Sequence, residues 1–593
     1  MKKLTIKQGQ YLEHIAPLIP TNVILLKVLT GIGATTLEIK SKRSSIIMEP
    51  NVPVIKGKKK KGVMCIYEGV TVDMVIDYMD SSIKYKKIIV TPESFFKVKE
   101  AAEYLSVSIY EEYFFLFDEC DRTIKDVNFR KKIILPIEDF FLFKHKAFVS
   151  ATALIPSDPR FAEQGFETIT IEPDFDYSKP INLITTNNVF LSFKKVVEEN
   201  PDEVFCVFLN STNMIGSFVK SMDINNFSNI YCSRESFYQL KANNFKHVSE
   251  HLTDHNIFNF FTSRFYSAVD IPMDVKPTVI LLTDLVSGVH SMIHPRTEAV
   301  QAVGRFRNGV NKIYHIANLN EELQPKSKEA AAAYLQGCEN SYYDVKALHQ
   351  AATEQGAKDS LKVALDYMPY ALFLNANGSK NFFMEDNFYL EEEIKSGYIS
   401  AEAFIKSYNI PHFVATHASE QYPLTDENAS KLKPGISMKI VVDSVIETLE
   451  EVNRESDLYT LDNKQTVYNE LLKSFPIIVQ AYNELGVDTL KKNGFSKKQI
   501  LKALKRHTDT NQKAHFGFLE TLHDMFDDGA DYPSAECRRL LEIAVNKYSL
   551  TLRPTLKLLE EYFKLSNRKT LYRDKLGRDI KGYTIIRSKF NRQ

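Results

Sequence analysis

Thr30-Gly31-Ile32-Gly33-Ala34-Thr35-Thr36 follows an apolar run and leads into a helical pattern. Glycines in such a turn let backbone amides close on an anion at a helix N-terminus, and a hydroxyl at Thr35 is placed to ligate magnesium. Phosphate-cradling loops usually carry a lysine just before that hydroxyl, and here the position is Ala34. Further along, the apolar run Tyr113–Phe117 delivers Asp118-Glu119-Cys120-Asp121 at the C-terminal end of an expected strand. In a phosphate-loop fold one carboxylate there holds the metal, directly or through water, and the next polarises the attacking water. Asp118 and Glu119 suit those two roles. Gln301-Ala302-Val303-Gly304-Arg305-Phe306-Arg307 brings two cations that can stabilise charge on a transferring phosphate when a cleft closes. Taken singly, each feature has a plainer reading: the loop as a tight β–α turn, the arginines as a solvated helix face with weak ion pairs.

The elements that must position these residues follow from hydrophobic patterning. Asn22–Leu29, Ser44–Met48, Gly62–Ile66, Lys87–Val90, Tyr113–Phe117 and Lys146–Val149 are continuous apolar runs separated by helix-length connections. That pattern predicts a parallel sheet covered on both faces, an α/β domain of RecA-like size. A second alternation, Ile181–Thr185, Val204–Leu209, Asn229–Tyr231, Phe258–Thr262, Thr278–Leu282 and Lys312–Ile316, predicts a second such domain. The expected organisation is a first domain over 1–172, a linker over 173–180 and a second domain over 181–320. A mainly α-helical region over 321–563 and a basic tail over 564–593 complete it.

From here the chain resembles superfamily 2 helicases of the DEAD/DEAH type, over about residues 20–320 and with the motifs in the family's order. Motif I resembles Gly31–Thr36, the Ia region resembles Glu49-Pro50-Asn51-Val52, and Ib is similar to Thr91-Pro92-Glu93-Ser94. Motif II matches Asp118–Asp121, and motif III matches Ser150-Ala151-Thr152. Val207-Phe208-Leu209-Asn210-Ser211-Thr212 is similar to motif IV, Thr262 with Val269-Asp270-Ile271-Pro272 to motif V, and Gln301–Arg307 to motif VI. The compact Gly-Arg-x-Arg also resembles helicases of phages and mobile elements.

The resemblance implies ATP and Mg2+ between two domains, with a single strand of DNA or RNA, or a duplex substrate, crossing both. Gly31, Ile32, Gly33, Ala34, Thr35, Thr36 and Asp270 would border the nucleotide, Thr35 and Asp118 the metal, Glu119 the attacking water, and Arg305 and Arg307 the transition-state charge, with Gln301 a further catalytic candidate of motif VI. Ser150 and Thr152 would couple nucleotide state to strand grip, and Asn51, Thr91, Thr212 and Thr262 would meet the strand. Three departures stand out: Ala34, Ala268 in place of the motif V glycine, and arginines spaced two apart rather than three, followed by Asn308. Lys27, seven positions before Ala34, is a conceivable substitute for the missing lysine, but as a strand residue that far upstream it is expected to point elsewhere. The function this implies is an ATP-dependent helicase or translocase; the alternative is a helicase-shaped nucleic-acid-binding scaffold that has lost hydrolysis.

Partners must be sought locally, because 75 basic residues balance 75 acidic ones in 593. Lys58 and Lys59, in the run Lys56–Lys61, are expected to neutralise strand phosphates; the alternative is a solvated turn. Residues 564–593 hold ten Lys/Arg against Asp574 and Asp579, with Tyr572, Tyr583 and Phe590 interleaved. Arg568, Lys569 and Arg573 are accordingly candidate nucleic-acid contacts. Lys491–Arg506, with Gly494-Phe495 before an N-cap at Ser496, is similar to a helix-turn-helix. The six cysteines lack zinc-ligand spacing, and no apolar stretch suits a signal sequence or a membrane span, so a cytoplasmic place with reduced thiols is expected.

Overall fold

A computed structural model describes residues 2–152, 154–266, 270–433, 435–492 and 496–589. Ala268 and Val269, Gly494-Phe495 and Phe590 lie outside the described residues.

The apolar runs of the first 173 residues form strands β1 (Lys2–Ile6), β2 (Val23–Leu26), β3 (Ser45–Met48), β4 (Val63–Ile66), β5 (Lys87–Val90), β6 (Phe114–Asp118), β7 (His145–Ser150) and β8 (Glu167–Pro173). They pair in parallel in the order β1-β8-β2-β7-β6-β3-β5-β4. The phosphate-loop strand β2 is thus one strand away from β6, with β7 between them. A second parallel sheet contains β9 (Lys179–Thr186), β10 (Phe205–Phe208), β11 (Ser228–Tyr231), β12 (His247–Ser249), β13 (Phe258–Phe261), β14 (Thr278–Thr283), β15 (Ile313–Ala317) and β16 (Phe413–Glu420). Its order is β12-β11-β13-β10-β14-β15-β9-β16. Central strands such as β6 and β14 are buried along their whole length, as sheets covered on both faces require. These are two RecA-like α/β domains followed by a mainly helical C-terminal region.

Strands β1, β8, β12 and β16 are absent from the sequence expectation. β1, β12 and β16 are sheet edges, and Val414–Ser419 in particular is largely exposed and polar, so no continuous apolar run marks it. Residues 328–413, read from sequence as accessory helices, pack against both domains. Leu335, Tyr370, Phe373, Phe383 and Met384 join the first sheet's core, and Tyr398, Phe404, Tyr408 and Phe413 join the second.

The chain divides into compact units at Tyr422/Pro423. The second unit is helical up to Met525 and then carries a small antiparallel sheet, β17 (Asp531–Pro533), β18 (Phe563–Leu565), β19 (Lys569–Arg573) and β20 (Asp579–Ser588). Residues 564–589 are therefore not an extended tail: β19 and β20 form a hairpin turned at Asp574–Gly577, and Ile585 packs into a core with Phe518, Leu522 and Leu541.

Candidate functional site between the two RecA-like domains

Gly31–Thr36, Asn51, Thr91, Asp118, Glu119, Ser150, Thr152, Thr212 and Thr262 sit at or just beyond the carboxyl end of a strand or on the helix that follows it, where open parallel sheets leave a crevice for ligands. From β2 the chain runs through Val28 and the loop Thr30–Gly33 into the helix Ala34–Lys40. Gly31 and Gly33 have φ of +74° and +88°, left-handed values that glycine adopts without penalty. Val28 also lies there, at φ +59°, which for a β-branched residue costs about 1–3 kcal/mol and persists only where the surroundings enforce it. His412 contributes, its Nε2 lying 2.9 Å from the Val28 carbonyl oxygen.

Thr35 and Asp118, the two residues expected at a metal, lie against one another. Thr35 Oγ1 donates a short hydrogen bond to Asp118 Oδ2. Two lysines crowd the same carboxylate. Lys27 Nζ donates to Asp118 Oδ1 at 3.2 Å and lies 3.9 Å from Glu119 Oε1, with its side chain buried. Lys58 Nζ donates to Thr35 Oγ1 at 2.9 Å, pairs closely with Glu49 and lies 3.9 Å from Asp118 Oδ2. Burial would raise the Asp118 carboxyl, but Lys27 and then Lys58 hold it below the usual carboxylate range. Glu49 moves the other way: burial pushes it up to about 7 against the pull of Lys58. Its Oε2 is buried with no hydrogen-bond partner among the described residues.

The second domain closes the site. Gln301 Nε2 donates to Glu119 Oε2 at 2.9 Å, and Glu119 itself is held at φ +49°. Arg305 is buried behind that amide: its Nε donates to the Gln301 carbonyl at 2.9 Å and its Nη2 to Gln301 Oε1. Arg307 lies on the phosphate loop, donating to Thr30 Oγ1 at 3.3 Å and pairing with Asp270 at 2.5 Å. A Cβ at Gly31 would stand 1.9 Å from Arg307 Nη1, and one at Gly304 would stand 2.3 Å from Thr30 Oγ1. A side chain at either position would have to displace Arg307 or Thr30 from this contact.

No protein-family model and no curated protein matches this chain. Among solved structures, it resembles DEAD-box and related helicases. The DEAD-box helicase Mss116 bound to ssRNA and UDP-BeF is 13% identical, over 63% of this chain and 92% of that one, with a TM-score of 0.36. S. cerevisiae Dbp5 bound to RNA and ADP BeF3 is 14% identical over 51% and 79%, with a TM-score of 0.35. The Mycobacterium smegmatis helicase Lhr bound to ssDNA and AMP-PNP is 13% identical, with a TM-score of 0.33. This chain covers 52% of the Lhr chain and matches it over 59% of its own length.

Placed in the fold, the sequence candidates separate into groups. Gly31, Gly33, Thr35, Asp118, Glu119, Gln301 and Arg307 converge on one crevice, while Arg305 reaches it only through Gln301. Ser150 and Thr152 hydroxyls donate to Asp121 at 2.7 and 2.9 Å, so motif III is fastened to motif II. Ile32 and Ala34 are buried in an apolar cluster with Leu37 and Ile47. Asn51 accepts from Arg130 at 3.4 Å. Thr212 is half-buried at the start of its helix. Thr91 and Thr262 are buried, and Thr262 Oγ1 donates to the Tyr231 carbonyl at 3.2 Å. Lys58, expected to meet strand phosphates, is instead turned towards Thr35, Glu49 and Asp118, whereas Lys59 is exposed. Arg568, Lys569 and Arg573 are exposed on the hairpin of the second unit, where Lys569 pairs with Asp531 and Arg573 with Asp579.

Lys27, expected from the sequence to point elsewhere, instead reaches Asp118, and Glu49 is what sequence reasoning missed. Neighbouring strands lie about 4.8 Å apart, so a side chain leaving β2 must cross the end of β7 to reach β6. A lysine stem is long enough for that, and the turn at Val28 ends the strand where the crossing begins. A further missed residue is Tyr11, an exposed ring 3.7 Å from the position of a Cβ on Gly33.

The arrangement suits a bound magnesium nucleotide. Mg2+ keeps several waters and takes one or two protein oxygens plus phosphates, which Thr35 and Asp118 can supply. A cation, the Lys58 ammonium, already stands between those two oxygens, and the loop cradle is one that a Cβ on Gly31 would fill.

Proposed function

We propose that this chain hydrolyses ATP between its two RecA-like domains and uses the cycle to move along, or remodel, single-stranded DNA or RNA. The observation that carries the reading is the insertion of second-domain groups into the first domain's phosphate site: Gln301 on Glu119 and Arg307 over Gly31. A carboxylate oriented by an amide from across the cleft can align a water, while a guanidinium on the loop meets charge developing on the leaving phosphate. The loop amides of Gly31–Gly33 bind phosphate, Thr35 and Asp118 hold the metal, and Tyr11 offers a flat face at the loop. Thr35 and Asp118 would hold magnesium, which would supply Lewis-acid withdrawal of charge from the phosphate.

Nucleotide state would reach the strand through Asp121, which ties motif II to Ser150 and Thr152, and through buried Arg122, whose Nη2 donates to Ser263 O of the second domain at 3.3 Å. Asn51, Thr212 and Lys59 of the first unit, with Arg568, Lys569 and Arg573 of the second, are the proposed strand contacts. Among the described residues no helix is long and apolar enough to cross a membrane, and a cytoplasmic place is proposed from the unpaired cysteines.

The test is phosphate release with single-stranded DNA or RNA present. Glu119→Gln keeps the hydrogen-bonding shape but removes the base, so hydrolysis falls by about 10²-fold or more while ATP binding persists. Unchanged turnover in that variant would remove Glu119 from the mechanism.

A further inference from the structure

We infer that Lys27 supplies the phosphate-directed cation of this site, from the end of β2, in place of the side chain that Ala34 lacks. The inference rests on the nucleotide-binding reading above and names a residue that no phosphate-loop pattern in the sequence contains.

Three cations border the loop, and their surroundings assign them different work. Arg307 comes from the second domain and is present only when the cleft is closed. Lys58 sits at the C-terminal end of the short helix Val52–Gly57, partly exposed, and its ammonium lies between the Thr35 hydroxyl, Asp118 and Glu49. It therefore occupies the place of the metal rather than that of a phosphate. Lys27 is buried, fixed by a strand whose ladder continues through its own amide to Ser150 O at 2.8 Å, and aimed at the opposite oxygen of the same carboxylate.

That carboxylate is shared: Oδ2 faces Thr35 and Oδ1 faces Lys27. An ammonium has three N–H donors. Lys27 makes one hydrogen bond among the described residues, to Asp118, with Glu119 at 3.9 Å as its second acidic neighbour. Once Asp118 turns to a metal, this ammonium is the buried positive group beside the loop with donors to give to phosphate oxygens. The left-handed Val28 and its His412 contact hold the chain at the point where Lys27 leaves the strand. Ala34, by contrast, packs its methyl among Ile32, Leu37 and Ile47, so the helix devotes that position to the core. A lysine moved from helix to strand keeps the charge while freeing position 34 for packing.

Equilibrium binding of ADP, AMP and a non-hydrolysable analogue standing for ATP to the full chain with Mg2+ present tests this, because it reads phosphate contacts apart from turnover while Asp118 can turn to the metal. Lys27→Met is expected to weaken ATP and ADP by about tenfold or more, the effect of losing a charged hydrogen bond, and to leave AMP unchanged. Equal ATP affinity in Lys27→Met and wild type would overturn the inference and leave Lys27 a counter-ion for Asp118 and Glu119. Loss of ATP affinity in Lys58→Met but not in Lys27→Met would overturn it in favour of Lys58. Because Lys27→Met strands two buried carboxylates, the same comparison is made between Lys27→Met/Asp118→Asn and Asp118→Asn alone, where charge is balanced; a matching fall is expected, and no fall overturns the inference. A wild-type chain that binds no nucleotide overturns the proposed function first and this inference with it.

Discussion

With Lys27 already beside Asp118, a lysine restored at position 34 meets a neighbour of like charge. Ala34→Lys should therefore lower turnover, by roughly fivefold or more for about 1 kcal/mol of repulsion in a water-poor cleft. It should also lower the melting temperature, because the added stem is forced into the apolar cluster around Ile32 and Leu37. Steady-state phosphate release and a thermal melt on the same preparation check both; faster turnover would mean that the cation position is empty in the native chain. The carboxylate pair, the glycine loop and the arginines were legible from sequence because each sits in a short run of fixed order. Lys27, Lys58 and Glu49 were not, because they reach Thr35 and Asp118 from three separate strand or helix ends, and only the β2-β7-β6-β3 order brings those ends together. The choice between Arg305 and Arg307 was likewise invisible: it depends on Gln301 holding Arg305 inside the second domain.

Among elements, the interior strands were legible as apolar runs, and the edge strand β16 was not, since solvent along one side removes the run. Strand β15 carries an internal acid sensitivity. His315 is fully buried between Thr283 and Tyr408, and burial lowers its imidazole to about 3. A base depressed in the fold contributes stability that is complete above its ordinary value near 6.5 and is lost as pH falls through that value towards 3. The second domain should accordingly lose thermal stability over that window. His315→Gln should flatten the pH dependence while costing about 1–3 kcal/mol at neutral pH from disturbed packing. A melting profile with the same slope in both proteins would assign the acid loss elsewhere. The β19–β20 hairpin makes a separate claim. Its ion pairs, Lys569 with Asp531 and Arg573 with Asp579, are exposed and hold their cations weakly. Replacing Arg568, Lys569 and Arg573 by serine should reduce the logarithmic salt slope of single-strand binding by about 2, at roughly 0.7 per phosphate contact. An unchanged slope would show that the hairpin meets something other than the strand.

At the scale of the molecule, the equal numbers of acidic and basic residues give no overall field, so the proposed strand capture would come from local surfaces, of which this hairpin is one candidate. Residues 328–413 fasten the two RecA-like domains to one another: Asn387 donates to Lys125 O of the first at 3.3 Å, and Tyr398 OH donates to Ile293 O of the second at 2.8 Å. The central claim is that hydrolysis needs groups from both domains at once, and the measurement that reaches it most directly is phosphate release by wild type and by Arg307→Ala, with and without single-stranded nucleic acid. The account predicts strand-stimulated release in the wild type and a fall of about 10³-fold or more in Arg307→Ala, with ATP still bound. Equal release by the two proteins, or none from the wild type above the level of Glu119→Gln, would contradict it.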